Sequence, residues 1–178
     1  MTGLIQVGWA RLEDAPVVTE IVNHAYQGED DSTCGWTGVA HLLGGPRVTV
    51  EQVSVWIHED PRSVLVAREQ NQLVGCVRLT ALRATVGEIS LLAIRPSQQR
   101  GGLGSALLAE AERHLATDWK CQIAELTVLA PRPELEAWYE RRGYRTTGKR
   151  RPLKPDGEGY GEPMQPTLEL VEYSRALV

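Results

Sequence analysis

Apolar and polar positions along the chain fall into short β-type runs and longer helical patterns. Leu4–Ala10 reads as a first strand. Glu13 and Asp14 then stand where acidic side chains favour a helix start, with Pro16 in the first turn. Val17, Val18, Ile21, Val22 and Ala25 follow at helical spacing. From Gln27 to Pro46 the periodicity stops, and a loop that long in a compact domain usually serves function or motion. Thr49 and Gln52 form a capping-box pair ahead of Val53, Trp56 and Ile57, which predicts a helix over 50–58 ended by Asp60-Pro61. Val64–Arg68 and Leu73–Leu82, joined by Glu69-Gln70-Asn71-Gln72, predict an antiparallel hairpin, and Val86–Ile94 a third consecutive strand. Leu107, Leu108, Ala111 and Leu115 share one face of a helix over Leu103–Thr117. Ile123–Leu129 is another strand, and Glu134–Arg142 a short helix opened by Pro133 and closed by Gly143. Tyr144–Thr147 and Thr167–Tyr173 supply the last strands, with a second long loop over 148–166.

Three strands in meander, then strand–helix–strand–helix–strand, describe an α+β protein with a mixed sheet. The 178 residues suit one domain, 1–178, and neither an internal repeat nor a low-complexity linker divides them. A net charge of −4 and a pI near 5.6 argue against a nucleic-acid partner, although one cationic pocket can sit on an acidic protein. Cys34, Cys76 and Cys121 are too scattered for a disulfide framework or a metal pair, and Cys76 reads as a small buried hydrophobe. His24, His41, His58 and His114 lack metal-ligand spacing, so no metal is expected, and His114 is expected at the surface of its helix. The N-terminal residues show no basic-then-apolar leader, and no apolar run reaches membrane-spanning length. A reducing, cytoplasmic setting without a membrane role is the expectation.

The chemistry concentrates in Leu91–Ser105. A buried strand ends at Pro96, a short loop follows, and Gly101, Gly102 and Gly104 open the amphipathic helix. Glycines let a ligand approach backbone amides without a Cβ in the way. The first amides of a helix lack intrahelical partners and carry roughly half an elementary positive charge, so they make an anion site. Arg100 would add a bidentate fork, which points to a phosphate-bearing ligand. A Walker loop would need a lysine before Ser105, and Gly102-Leu103-Gly104-Ser105-Ala106-Leu107 fails the dinucleotide fingerprint. A plain tight strand-to-helix turn is the other reading of these glycines.

Gln99-Arg100-Gly101-Gly102-Leu103-Gly104 resembles the Q/R-x-x-G-x-G/A acetyl-CoA motif of the GNAT family of N-acetyltransferases. Leu92-Ala93-Ile94-Arg95-Pro96 is similar to the strand that precedes it in that family, and Trp138-Tyr139 through Gly143-Tyr144 to its aromatic-Tyr-x-x-x-Gly-aromatic helix end. The resemblance implies a mixed, mostly antiparallel central sheet of about seven strands flanked by about four helices, with one splayed strand pair. It also implies an acetyl-CoA-dependent N-acetyltransferase. The pyrophosphate would sit on Gln99, Arg100, Gly101, Gly102, Leu103, Gly104 and Ser105, and the pantetheine arm would pair with the backbone of Leu92, Ala93 and Ile94. The asparagine often found after the next strand is replaced by Ala130-Pro131-Arg132-Pro133, with Arg132 as a substitute contact. Chains of this family often form homodimers.

Acyl transfer to an amine needs a neutral nucleophile. An alkyl ammonium with a pKa near 10.4 is neutral in about one molecule per thousand at pH 7.5, a cost of roughly 4 kcal/mol that a base can offset. Glu88 is the candidate base, and strand alternation predicts Glu88, Ser90 and Leu92 on one face. An exposed position at the start of the strand is the competing reading. The resemblance makes Tyr139 the acid for the departing thiolate; a packed aromatic is its alternative. In the 27–46 loop, Glu29 and Asp30 would attract a cationic amine and Trp36 would wall the pocket, unless the loop is simply a solvated acidic one. The expected acceptor is thus a small-molecule amine. A non-catalytic acyl-CoA sensor and a peptide or protein N-acetyltransferase are the alternatives.

Overall fold

The computed structural model describes residues 5–27, 42–98, 101–154, 162–164 and 167–177. In chain order the elements are β1 (Ile5–Trp9), α1 (Ala15–Gln27), β2 (Leu43–Gly44), α2 (Val50–Ile57), β3 (Val64–Glu69), β4 (Gln72–Arg83) and β5 (Val86–Ile94). Then come α3 (Leu103–Thr117), β6 (Ile123–Ala130), α4 (Pro133–Glu140), β7 (Arg145–Pro152), β8 (Glu162–Pro163) and β9 (Glu169–Ala176). Seven strands form one sheet in the order β1-β3-β4-β5-β6-β9-β7. Every neighbouring pair in it is antiparallel except β5–β6. The expected α+β architecture of seven main strands and four helices is therefore observed, and among the described residues no helix is long and apolar enough to cross a membrane.

Each face of the sheet carries its own core. Ile21, Val22 and Ala25 of α1 and Val53 of α2 pack with Val66, Cys76, Leu91 and Ala93 on one face. On the other, Leu107, Leu108, Ala111 and Leu115 of α3 and Leu135 of α4 meet Leu79, Ile89, Leu92, Ile94 and Leu126. Burying each of these leucines contributes about 1.5–3 kcal/mol. The capping box at α2 forms as expected, with Gln52 N donating to Thr49 Oγ1 at 3.3 Å and Thr49 N to Gln52 Oε1 at 2.9 Å.

Four expectations need correction. The segment 148–166 is not wholly loop: β7 continues to Pro152, carried past Gly148 (φ +83°) by a register shift between Thr146 and Arg150. As a fully exposed edge strand it has no buried face to impose alternation. Within 27–46 and 148–166, Leu43 pairs with Pro163 and Gly44 with Glu162, a two-stranded sheet too short to leave a periodic signal. His114 is buried, because Trp9 of β1 stacks on it at 4.6 Å and the Asp118 carboxylate pairs with its ring. Finally, Glu88 and Leu92 do not share a face. Leu91 adopts φ +50°, and the β4–β5 register slips so that Leu91 and Leu92 together oppose Val77. The bulge reverses the alternation, and Leu92 joins the α3 core while Leu91 joins the α1 core.

Gly75 of β4, opposite Ile94, packs tightly between β5 and α3. A Cβ there would lie 2.6 Å from Ile94 Cδ1 and 3.0 Å from both the Ala93 carbonyl oxygen and Leu107 Cδ1. Gly75→Ala should therefore cost about 1–3 kcal/mol, seen as a lower urea midpoint with an unchanged slope.

Candidate active site

The site begins where two strands part. β5 and β6 run parallel and pair at Val86↔Ile123, Gly87↔Ala124 and Glu88↔Glu125. Among the described residues that is the whole ladder between them, and beyond it the strands diverge. On its other edge β5 stays attached to β4, with Ala93 opposite Cys76 and Ile94 opposite Gly75. The bulge at Leu91 accompanies the divergence, and a non-glycine residue at positive φ costs about 1–3 kcal/mol unless its surroundings hold it there. Here the packing of Leu91 and Leu92 into opposite cores supplies the restraint.

A cavity of about 60 Å³ lies in the opening, room for several waters or a slim ligand segment. Its walls include the diverging stretches Glu88–Leu92 of β5 and Leu126–Leu129 of β6. Tyr26 from the last turn of α1, Leu43 from β2, Arg47, Arg132 and Tyr139 from α4 complete the functional lining. Glu88 is half-buried rather than exposed at a strand end. Burial raises its pKa above the ordinary 4.5, Arg78 counteracts this, and the neighbouring Glu125 adds to it. Glu125 is itself buried and ion-paired with Arg83. Burial also pushes the Tyr139 hydroxyl well above its usual range, with Tyr26 adding to the rise and Arg132 and Arg142 opposing it. Tyr139 therefore keeps its proton. Its ring is fixed edge-on to Trp138 at 4.9 Å and to the buried Tyr144 at 5.7 Å.

A second group of site candidates lies at the start of α3. Gly102 caps the helix in the left-handed region (φ +74°), and among the described residues, its chain neighbours aside, no atom lies within 4 Å of where its Cβ would be. Such a conformation suits glycine and leaves the first-turn amides open to a ligand. Ser105 Oγ accepts from Arg142 Nε at 3.1 Å and also from Arg142 Nη2, which puts a guanidinium at the helix N-terminus. Arg142 is held there by stacking on Trp138, 3.6 Å from the ring centroid, and by donating to the Trp138 carbonyl at 2.9 Å. Glycines, helix-start amides and one cation suit a phosphate-bearing ligand.

Glu88, Leu92 and Tyr139 thus line one cavity, while Gly101, Gly102, Leu103, Gly104 and Ser105 form the α3 start, and Ala93 and Ile94 continue β5 between them. Gln99, Arg100, Glu29, Asp30 and Trp36 lie outside the described residues. Tyr26, Arg47 and Arg142 were missed. Tyr26 sits one position past the apolar helical series, Arg47 one past the presumed loop, and Arg142 next to the motif aromatics, so a signal existed only for Arg142. Cys76, beside the bulge, is inert: burial pushes its thiol up to about 12. Among the described residues no cluster of His, Cys, Asp or Glu is placed to hold a metal ion.

A family model described as the Acetyltransferase (GNAT) family matches residues 30–144. No curated protein matches the chain in sequence. Among solved structures, yncA of Salmonella typhimurium, determined with its cofactor acetyl-CoA, aligns with a TM-score of 0.72 at 18% identity, over 98% of this chain and 95% of that one. The ribosomal-protein-S18-alanine N-acetyltransferase of Escherichia coli gives 0.73 at 14% identity, over 98% and 94%. The ribosomal-protein-alanine N-acetyltransferase of Brucella melitensis gives 0.72 at 20%, over 96% and 99%. At such identities the likeness is one of fold.

The environment of Glu88 has a thermodynamic signature. A carboxyl whose folded pKa is raised favours folding most below its ordinary pKa, and that contribution is lost as pH rises through the folded value. Removing the ionisable group should thus stabilise the protein at neutral pH. Glu88→Gln is expected to melt above wild type at pH 7–8, with the two melting curves converging as pH falls below the ordinary carboxylate value of 4.5.

Proposed function

The chain belongs to the GNAT acetyltransferase family, and from that premise we propose that it is an N-acetyltransferase acting on the primary amine of a small molecule by direct attack in a ternary complex. The observation that carries this reading is the convergence of Glu88, from β5, and Tyr139, from α4, on one cavity at the point where β5 and β6 part. The family uses acetyl-CoA, and acetyl-CoA supplies the activated acyl group: the acceptor nitrogen bonds to the acyl carbon as the C–S bond breaks.

The residues divide the remaining work. The amides of Gly102, Leu103, Gly104 and Ser105, with Arg142, would hold the diphosphate. The edge of β5 that β6 leaves at Glu88 would present Leu92, Ala93 and Ile94 to the pantetheine amides as a neighbouring strand does. Glu88 accepts a proton from the acceptor ammonium. Its burial helps here, because a carboxylate with a raised pKa lies closer to that of an amine and takes the proton at lower cost. Tyr139 donates its proton towards the departing sulfur, a role suited to a hydroxyl that burial keeps protonated. The overall balance is an ammonium and a thioester converted to an amide, a thiol and one proton.

Free-thiol release from acetyl-CoA across a panel of amines, amino acids, polyamines and peptides tests this. Tyr139→Phe should lower kcat by about 10–100-fold while acetyl-CoA binding stays within a few-fold. Acetyl-CoA binding without turnover on any acceptor would instead indicate a coenzyme sensor, and turnover on peptides alone would reassign the acceptor. Arg142→Gln should weaken acetyl-CoA binding by about tenfold or more in a calorimetric titration, through loss of a charge-assisted contact.

A further inference from the structure

The cavity is lined by charges of both signs. Glu88 supplies the carboxylate, in parallel register with the buried Glu125. Arg47 and Arg132 line the same cavity, and both charges lower a Tyr26 hydroxyl that burial otherwise raises. Arg132 also acts on Tyr139, so the two guanidinia and the two phenols occupy one neighbourhood.

Arg47 is deliberately held. Asn23, on the buried side of α1, accepts from the backbone amides of Arg47 at 2.8 Å and Val48 at 3.0 Å, and donates to the Val48 carbonyl at 2.9 Å. Three hydrogen bonds from one side chain thus fix the backbone that carries Arg47. Its guanidinium lies 5.7 Å from the centre of the Tyr26 ring. The diphosphate does not require this cation, because Arg142 already stands at the start of α3, bonded to Ser105. Nor does the base require it, since the charges acting on Glu88 are Arg78 and Glu125.

We propose, building on the N-acetyltransferase reading, that the acceptor is an amino-acid-like zwitterion whose carboxylate is selected by Arg47, with Arg132 beside it, while its amine faces Glu88. A guanidinium fork matches a carboxylate in shape as well as charge. A neutral alkylamine would set apolar atoms against two guanidinia, and a polyamine would set a second cation against them. The cavity therefore both attracts amino acids and rejects simple amines.

The test compares acceptors that differ only in the anion. Thiol release is measured for a set of α-amino acids, each against its own carboxamide and the matching alkylamine, in wild type, Arg47→Gln and Arg47→Lys. Wild type should favour the carboxylates by about tenfold or more in kcat/KM. That ratio should fall towards one in Arg47→Gln and to an intermediate value in Arg47→Lys, which keeps the charge but loses the fork. In parallel, an N-acetyl amino acid added with CoA should raise the melting temperature of wild type more than its N-acetyl amide does, and Arg47→Gln should lose the difference. Equal turnover of amino acids, carboxamides and alkylamines by wild type would overturn this inference and leave the N-acetyltransferase reading standing. So would an unchanged ratio in both variants. Acetyl-CoA binding with no thiol release from any acceptor would remove the underlying reading, and this inference with it.

Discussion

The parting of β5 from β6 after three residue pairs governs the rest of the molecule. A parallel pair inside a sheet normally continues for the length of its shorter strand, since each unpaired backbone group must find another partner. Here β5 remains tied to β4 while β6 follows β9 through eight pairs, so the two halves of the sheet turn away from each other. The positive φ at Leu91 belongs to this geometry. The bulge sends Leu91 into the α1 core and Leu92 into the α3 core, so both layers must be packed for the site to keep its shape. Stability and function meet at that residue.

The opening also sets the electrostatics. Strand ends that diverge inside a sheet create a wall of partly desolvated polar groups, and desolvation is the first cause of the shifts at Glu88, Tyr26 and Tyr139. It makes the carboxylate a stronger base and the phenols more persistent donors. The cations are divided by layer: Arg142 stacks on Trp138 at the start of α3, and Arg47 is clamped to α1 by Asn23. The two cations thus stand in different layers of the molecule.

Much of this was legible in the chain. β3, β4 and β5 announce themselves as apolar, β-rich runs and α3 by the periodic face it buries, and the glycine cradle and Tyr139 sit in local motifs whose spacing survives without tertiary information. Tyr26 and Arg47 carry no such mark. One ends a helix, the other follows a two-residue strand, and they become neighbours only because β2 pairs with β8 and Asn23 gathers the backbone of residues 47–48. His114 was misplaced for the same reason, since its burial depends on Trp9, more than a hundred positions away.

By itself the sequence determined the order of the main strands and helices, the strand-to-glycine turn and the helical register of Tyr139, since these depend on contacts within about a dozen residues. Only the tertiary structure decided the parity of β5, the insertion of β9 between β6 and β7, and the opposed charges of the cavity. A one-residue bulge reverses every side chain beyond it and leaves no trace in hydrophobic alternation, because both faces of β5 are buried. With apolar residues wanted on either side, the pattern could not say which way Glu88 and Leu92 would point.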